Sequence, residues 1–322
     1  AAELAYRLRP TARGEWTFQT TQVVVSWRGC LWARSLRCGA PASVKVYPNF
    51  KAVARHALHA TEDQVRQMGI RRRRQRGTGL DFHQMREYRE GDSLRQIDWK
   101  ATSRHRKLVS REYQEERDQR VVFVLDCGRR MHARDGDLSH FDHALNAVLL
   151  LAYVALRQGD SVGFLTFSGM ERWLAPVKGA GAMTTVLNQV YDLHTTMQPS
   201  DYVEAAQRVM RNQPRRALVI LVTNLREEDA AEVQPALRML RERHLVLLAS
   251  LRETVVQGVL EAGVNDLDDA LRLVMARQYL ADRRVTHERV GGFGIQVLDV
   301  EPAELPPALV DRYLDIKRVG SL

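Results

Sequence analysis

From Val121 to the C-terminus, short apolar runs alternate with longer segments whose apolar residues recur at helical spacing. Apolar runs of about four to eight residues between turn signals are typical of strands buried on both faces of a parallel sheet. The runs that we interpret as sheet strands are Val121–Leu125, Ser161–Phe167, Ala217–Val222, Leu245–Leu251 and Phe293–Leu298, with Arg172–Leu174 as a short edge strand.

The segments between these runs carry apolar residues three and four positions apart, which is the pattern of a helix with one buried face. In His140–Arg157, for example, Leu145, Leu149 and Leu156 lie on one stripe. Strands that alternate with helices predict an α/β fold, a doubly wound and mostly parallel sheet whose working surface is the crevice at the carboxyl ends of the strands. The other predicted helices are Met183–Leu193, Val203–Asn212, Ala230–Arg243, Asp266–Asp282 and Pro307–Ile316.

The sequence before Val121 has a different pattern. Thr17–Trp27 and Ser43–Tyr47 alternate polar with apolar residues, which predicts a small antiparallel β unit. We therefore divide the chain into a β unit (1–50), a middle part with a helix, a basic linker and a polar segment (51–120), and an α/β domain (121–322). Three cysteines give neither a disulfide framework nor a zinc spacing, so we expect a reducing compartment such as the cytoplasm.

Charge is unevenly distributed along the chain. The first 120 residues have a net charge of +12, and the remaining residues have a net charge of −3. The densest cluster, Arg71–Arg76, suits an anionic membrane surface, nucleic acid or an acidic protein partner, and a solvated basic linker is an equal alternative. Because no nucleic-acid-reading motif accompanies the cluster, we do not expect nucleic acid to be the partner.

The polar segment from Gly77 to Gln119 is too rich in large side chains for a disordered linker. We predict that it folds against the α/β domain, with its carboxylates paired to arginines and with Trp99 as an apolar anchor. The residues that we single out in this signature segment are Arg86, Tyr88, Gly91, Asp92, Arg95, Asp98 and Trp99.

The strings Arg86-Glu-Tyr-Arg-Glu-Gly-Asp92 and Arg95-Gln-Ile-Asp-Trp99 together resemble the signature of a bacterial family, the domain-of-unknown-function family fifty-eight. In that family a von Willebrand factor A-like domain follows the signature, and here Val121–Asp126 follows in the same order. The resemblance covers roughly Arg7 to the C-terminus. It implies a non-catalytic adaptor that works with a MoxR-type AAA+ ATPase at the cytoplasmic face of the inner membrane. Family members commonly carry two transmembrane helices before a small β domain, and we expect this sequence to lack them.

The loop after the first sheet strand departs from the pattern of von Willebrand A-like domains. Those domains carry Asp-x-Ser-x-Ser there, the core of a metal-ion-dependent adhesion site, whereas this chain has Asp126-Cys-Gly-Arg-Arg130. A later acidic position is replaced by Thr223-Asn224, and the middle loop offers several candidates. Because two oxygen ligands are lost and an arginine charge is added, we do not expect a divalent cation to bind. The middle-loop candidates are Thr195, Thr196, Ser200 and Asp201.

Three interpretations of this loop stay open: a metal-free site in which Arg130 pairs with Asp126, a plain structural turn, and a working metal site. We expect the strand-end crevice around this loop to bind a protein partner. The residues that we assign to partner binding are Asp126, Arg130, Thr223 and Asn224.

An enzymatic alternative uses Asp92, Asp98 and Lys100, whose D-x₅-D-x-K spacing is that of metal-dependent nucleases. Structural pairing of both aspartates with nearby arginines is our preferred interpretation, because such triplets arise often in charged segments. The sequence contains no Walker lysine, Gly-x-Gly-x-x-Gly or Gly-x-Ser-x-Gly motif. We therefore expect no catalytic residues and no cofactor, and a function in protein–protein interaction.

Overall fold

The computed structural model describes residues 7–26, 32–48, 81–88, 97–105, 107–114 and 119–319. For 81–87, 105 and 111–114 it describes the backbone alone. The predicted helix at 51–70 and the basic cluster Arg71–Arg76 lie outside the described residues.

The described residues of the β unit (1–50) form antiparallel strand pairs, as predicted, and the signature segment contains a further pair that was not predicted. Strands β1 and β4 pair with each other, as do β2 with β3 and β5 with β6. The alternating segment Thr17–Trp27 is divided between β1 and β2, which pair with different strands in two separate sheets. The elements are β1 (Gly14–Phe18), β2 (Thr21–Ser26), β3 (Ala33–Cys38), β4 (Ala42–Val46), β5 (Asp81–Glu87), α1 (Trp99–His105) and β6 (Val109–Gln114).

The large domain is built on a six-stranded sheet with the order β11-β10-β7-β12-β13-β14. Strand β11 runs antiparallel to β10, and the other neighbours are parallel. A two-stranded hairpin of β8 and β9 lies outside this sheet. The strands are β7 (Arg120–Asp126), β8 (Arg134–Asp135), β9 (Leu138–Ser139), β10 (Ser161–Phe167), β11 (Trp173–Val177), β12 (Leu218–Thr223), β13 (Leu245–Leu251) and β14 (Gln296–Val300).

Helices cover both faces of the sheet, which confirms the predicted doubly wound von Willebrand A-like α/β fold. Helices α2, α3 and α8 pack on one face, and α4, α5 and the end of α7 pack on the other. The helices are α2 (His140–Arg157), α3 (Ala182–Val190), α4 (Tyr202–Asn212), α5 (Ala230–Arg241), α6 (Thr254–Glu261), α7 (Leu267–Gly292) and α8 (Leu305–Val319).

The apolar run of β7 explains why this strand lies in the middle of the sheet. Val121, Phe123 and Leu125 face the α2 layer, whereas Val122 and Val124 face the α4 layer, and all are buried. A strand between two helical layers needs apolar residues at every position, since both of its faces are dry.

The structure corrects the predicted elements after β13. Helix α6 was not predicted, and α7 continues ten residues beyond the predicted end at Asp282. The helix continues past Asp282 because the side chain of Arg283 points into the protein and is buried. This charged residue therefore does not mark the end of the helix. The chain then reverses at Gly294, whose φ of 70° favours glycine, and β14 starts three residues later than predicted.

Within the described part of the chain, no helix is long and apolar enough to cross a membrane.

Candidate functional site

The strand-end crevice lies where β7 and β12 run side by side at the centre of the sheet. Of the six strands of this sheet, β7 is the first along the chain and β12 is the fourth. The strands that follow β7 are added on one side of it, and the strands from β12 onward are added on the other side. Doubly wound sheets bind ligands and partners at this kind of switch point, because the loops that follow the two strands diverge. Asp126 ends β7 and Thr223 ends β12, so the sequence placed both residues at the correct edge.

Asp126 forms the floor of the crevice and is fully buried. One carboxylate oxygen accepts a hydrogen bond from the backbone N–H of Gly128 at 2.8 Å. The other accepts hydrogen bonds from the hydroxyls of Ser200 and Thr223, each at 2.7 Å. The Thr223 hydroxyl also lies 3.1 Å from the Tyr202 hydroxyl. Three donors therefore hold this carboxylate, and they come from the loop after β7, the loop before α4 and the end of β12.

Ser200 is the middle-loop residue that the sequence could not select from four candidates. The other three have different roles: Thr196 donates to the backbone oxygen of Ser168, Thr195 lies 2.9 Å from the His132 ring, and Asp201 caps helix α4 by accepting from the Glu204 N–H. A single hydroxyl of this loop thus reaches the floor of the crevice.

Gly128 lies against the floor so closely that a side chain there would collide with it. An added Cβ would lie 2.7 Å from the Ser200 hydroxyl oxygen and 3.0 Å from an Asp126 carboxylate oxygen. It would also lie 3.0 Å from the backbone oxygen of Gln198. The Ser200 hydroxyl and its neighbours therefore fill the space that a side chain at position 128 would need.

Arg130 does not pair with Asp126, which corrects that interpretation of the loop. Its guanidinium is bound to the carboxylates of Glu228 and Asp229, in the loop after β12. The reason is that Asp126 already has three hydrogen-bond donors and lies below the surface, whereas Glu228 and Asp229 lie at the level of Arg130. The ion pair therefore links the loops after β7 and β12 above the floor.

Asn224 belongs to a buried polar network on the β13 side of the crevice. Its side-chain amide donates to Glu253 at 2.9 Å, and its carbonyl oxygen accepts from Arg283 at 3.1 Å. Burial on its own would raise the pKa of Glu253, but hydrogen bonds from Tyr279 and Asn224 and the charge of Arg226 outweigh burial and lower that pKa to about 2. Glu253 is thus a carboxylate that the network keeps ionised.

Neither Glu253 nor Arg283 was predicted from the sequence. Glu253 follows the end of β13 by two residues, and the strand-end rule that selected Thr223 could have selected it. Arg283 lies within a helix, where an arginine is normally expected to face solvent, so no sequence signal marks it.

The four residues assigned to partner binding differ in exposure. Asp126, Thr223 and Asn224 are fully buried, and only Arg130 retains part of its surface. The exposed side chains belong to the loops above them, and backbone hydrogen bonds from Arg129 to Gln198 and from Thr196 to Cys127 join two of these loops. We call the exposed residues Arg129, Met170, Met197 and Glu228 the crevice rim.

Burial raises the pKa of Asp126, while the hydrogen bonds from Ser200, Thr223 and Gly128 oppose that rise. A carboxyl group with a raised folded-state pKa stabilises the fold most below its unfolded pKa, and this contribution is lost as pH rises through the folded pKa. The free energy of unfolding of the wild type, measured relative to Asp126→Asn, should therefore increase as pH is lowered from neutral to about 4. Urea denaturation of both proteins over this range checks the sign, and a relative stability that increases with pH would contradict it.

The structure describes part of the signature segment. Ile97 bridges Ser110, and the Asp98 carboxylate accepts hydrogen bonds from the backbone N–H groups of Lys100 and Ala101 at 3.0 and 3.1 Å. Asp98 is therefore the N-cap of helix α1, a structural role, and the side chain of Lys100 is exposed.

Trp99 is 68% exposed, so the prediction that it anchors the segment was wrong. It is the first residue of α1, and it is Ala101, on a different side of this short helix, that is buried. Tyr88 is half-buried, and the side chain of Arg86 is not described. Gly91, Asp92 and Arg95 lie outside the described residues, so the pairing predicted for Asp92 stays a prediction.

We expect Asp98→Ala to lower the free energy of unfolding by about 1 kcal/mol, because it leaves N–H groups of the first turn of α1 without their acceptor. Asp98→Asn should cost less, since asparagine caps helices nearly as well as aspartate. Thermal or urea unfolding of the two variants checks this. Equal losses in both would show that the charge of Asp98, and not the cap, carries its role.

Comparison with known proteins identifies the family of this chain. The family model described as "Protein of unknown function DUF58" matches residues 84–285, more than half of the chain. It begins in the signature segment and extends into the long helix α7. No curated protein sequence matches the chain.

Several solved structures are similar to parts of the chain. A point mutant of the PilB minor pilin from Streptococcus sanguinis is 13% identical to this chain, with a TM-score of 0.41. The match covers 66% of this chain and 64% of the pilin, so the chain spans less than two thirds of the pilin. BatB from Bacteroides thetaiotaomicron is 13% identical with a TM-score of 0.38, over 62% of this chain and 99% of its own. A von Willebrand factor type A protein from Catenulispora acidiphila is 14% identical with a TM-score of 0.38, and the match covers 63% of this chain and 43% of that protein.

Proposed function

The chain belongs to the DUF58 family of proteins of unknown function, and we propose that it is a non-catalytic adaptor whose strand-end crevice binds a protein partner. The observation that carries this proposal is the closed floor of the crevice. Asp126 has hydrogen-bond donors on both oxygens and no exposed surface, so it offers neither a free base nor an open ligand position.

The residues of the crevice do not fit the divalent cation of a metal-ion-dependent adhesion site. Mg²⁺ needs octahedral oxygen ligands at about 2.0–2.1 Å. Positions 128 and 130 supply no side-chain oxygen, and the Ser200 hydroxyl is bound to Asp126 directly. The Arg130 charge above the floor, held by Glu228 and Asp229, would repel a cation. The crevice is in this proposal a degenerate adhesion site that binds its partner without a metal ion.

Partner contact falls to the crevice rim in this proposal, while the buried residues Asp126, Thr223 and Asn224 fix the shape of the floor. Met197 is 72% exposed, and Arg129 and Glu228 provide one charge of each sign. Exposed methionines next to charged side chains are common at protein-binding surfaces, because the flexible thioether adapts to its partner. Arg130 holds the loops together and contributes its partly exposed surface.

The partner proposed here is a MoxR-type AAA+ ATPase, and its support is the family resemblance of the signature segment. The proposed place of work is the cytoplasmic face of the inner membrane. The net charge of +12 in the first 120 residues supports an additional contact with anionic lipid, since basic segments are attracted to such surfaces.

The test measures binding of a purified MoxR-type ATPase, with ATP and with ADP, to three forms of the chain. The rim variant is Arg129→Glu with Met197→Asp. The matched control is Arg318→Glu with Val319→Asp at the end of α8. The neighbouring Lys317 binds Asp160, the residue before β10, so these control positions lie at the opposite edge of the sheet.

The proposal expects nucleotide-dependent binding that the rim variant loses by at least about tenfold and the control retains. Equal binding by all three forms would place the contact outside the crevice. Absence of binding to any form would remove the ATPase from the proposal.

A further inference from the structure

Helix α7 is packed on one face and carries apolar residues on the opposite face as well. Its inner face holds Ala276, Arg283 and Val290, which are seven residues apart and buried. Its outer face holds Leu267, Leu271 and Val274, whose side chains are 74%, 55% and 63% exposed. A helix that only solvent covers on its outer side is expected to be polar there.

The outer residues follow the spacing of a coiled coil. These residues are separated alternately by four and three positions, and all of them are at least partly exposed. This is the spacing of the a and d positions of a heptad repeat. Across this helix they lie opposite the buried inner residues. We call this set the outer seam: Leu267, Leu271, Val274, Gln278, Ala281 and Val285.

We propose that a second copy of this chain binds along the outer seam, so that two α7 helices form a parallel coiled coil. Parallel pairing places Gln278 opposite Gln278 of the second copy. Each Gln278 amide donates one hydrogen bond to Asp282 of its own chain at 2.8 Å, and its second N–H and its carbonyl oxygen remain for the equivalent amide. A single polar residue at a seam position is a known determinant of register.

The charges beside the seam favour the same pairing. Arg277 directly precedes the seam residue Gln278, and Asp282 directly follows the seam residue Ala281. In a parallel coiled coil, side chains at these two positions, five residues apart, meet across the two helices. Twofold symmetry produces this Arg277–Asp282 contact twice. The next pair at this spacing, Arg284 and Arg289, brings two like charges together at the C-terminal end. Glu288 of the same chain binds Arg284 at 2.8 Å and offsets that repulsion.

The domain makes this short seam sufficient for pairing. Residues 267–285 span about 28 Å of helix, and free peptides of this length lose much of their association energy to helix formation. Here the buried side of α7 already holds the helix, so pairing does not require new secondary structure.

Sedimentation equilibrium of the whole chain tests this proposal. The wild type should be a dimer, and Leu271→Glu with Val274→Glu should raise the dimer dissociation constant at least about 100-fold. Both residues are exposed, so at concentrations below the dimer dissociation constant the variant and the wild type should have the same free energy of unfolding. Met197→Glu, an equally exposed apolar residue at the crevice rim, is the matched control and should remain a dimer.

A charge exchange tests the parallel arrangement. Arg277→Asp and Asp282→Arg should each weaken the dimer, and the two together should restore it, because the exchanged charges again oppose each other. A wild type that is monomeric at all concentrations, or a dimer unaffected by the seam variant, would overturn the proposal. A monomer that binds phosphatidylcholine vesicles through Leu271 and Val274 would overturn it in favour of a lipid surface.

Discussion

Replacing Arg283 by methionine is expected to lower the free energy of unfolding by about 3 to 5 kcal/mol. The guanidinium is buried and donates to the backbone oxygens of Leu225 and Leu251 and to the hydroxyl of Ser250, each at 2.7 Å. It also binds the carboxylate of Asp299 at 2.8 Å. Methionine would fill most of the volume but leave these acceptors without a donor in the interior, and unsatisfied buried groups are costly.

Arg284→Met is the matched control, because the neighbouring arginine is 81% exposed and binds only Glu288 one turn away among the contacts described for it. Its loss should cost less than about 0.5 kcal/mol. Urea denaturation of both variants measures the difference. Similar losses in the two would mean that Arg283 does not hold the polar network together.

The Arg283 variant should also weaken partner binding at the crevice. Arg283 bonds to Asn224 and to the backbone of Leu225, so it holds the loop that leads from β12 to the rim residue Glu228. A protein that stays folded but loses rim binding would show that the network positions this loop.

Replacing Gly128 by serine is expected to lower the free energy of unfolding by about 3 kcal/mol. The new Cβ would lie 2.7 Å from the Ser200 hydroxyl oxygen, so Ser200 must move and lose its hydrogen bond to Asp126. The backbone oxygen of Gln198, at 3.0 Å, closes the other side. The serine found at this position in adhesion sites therefore does not fit into this crevice without a rearrangement.

Gly181→Ser is the matched control for that change. No atom lies within 4 Å of a Cβ at position 181, and the residue is the N-cap of α3, where serine is favourable. Thermal unfolding of the two serine variants measures the comparison. An unchanged stability of Gly128→Ser would show that the floor is open enough for a side chain.

The sheet could be predicted from the sequence because its central strands are mostly apolar runs buried on both faces. Ser161–Phe167 and Leu245–Leu251 were predicted with their observed bounds, as was helix α2 at His140–Arg157. These elements are buried on both faces or on a wide stripe, so packing and local pattern agree. Helix α6 lacks a buried residue and has no such pattern, which explains why the sequence did not reveal it.

The site was predictable in position but not in its contacts. The strand-end rule places Asp126 and Thr223 beside each other, since it depends only on topology. One of the three interpretations of the loop paired Arg130 with Asp126, yet the partners of Arg130 are residues about one hundred positions later. Long-range pairing of charged side chains depends on loop conformations, which one sequence does not specify.

Hydrogen–deuterium exchange of the chain, with and without the MoxR-type ATPase, tests the central claim that the strand-end crevice is the docking surface. Our account predicts slower exchange on binding in the loops that carry the rim, residues 127–132, 168–171, 195–200 and 224–229. It predicts little change at the opposite edge of the sheet, around Asp160 and Lys317. Protection confined to regions outside these four loops would contradict the account.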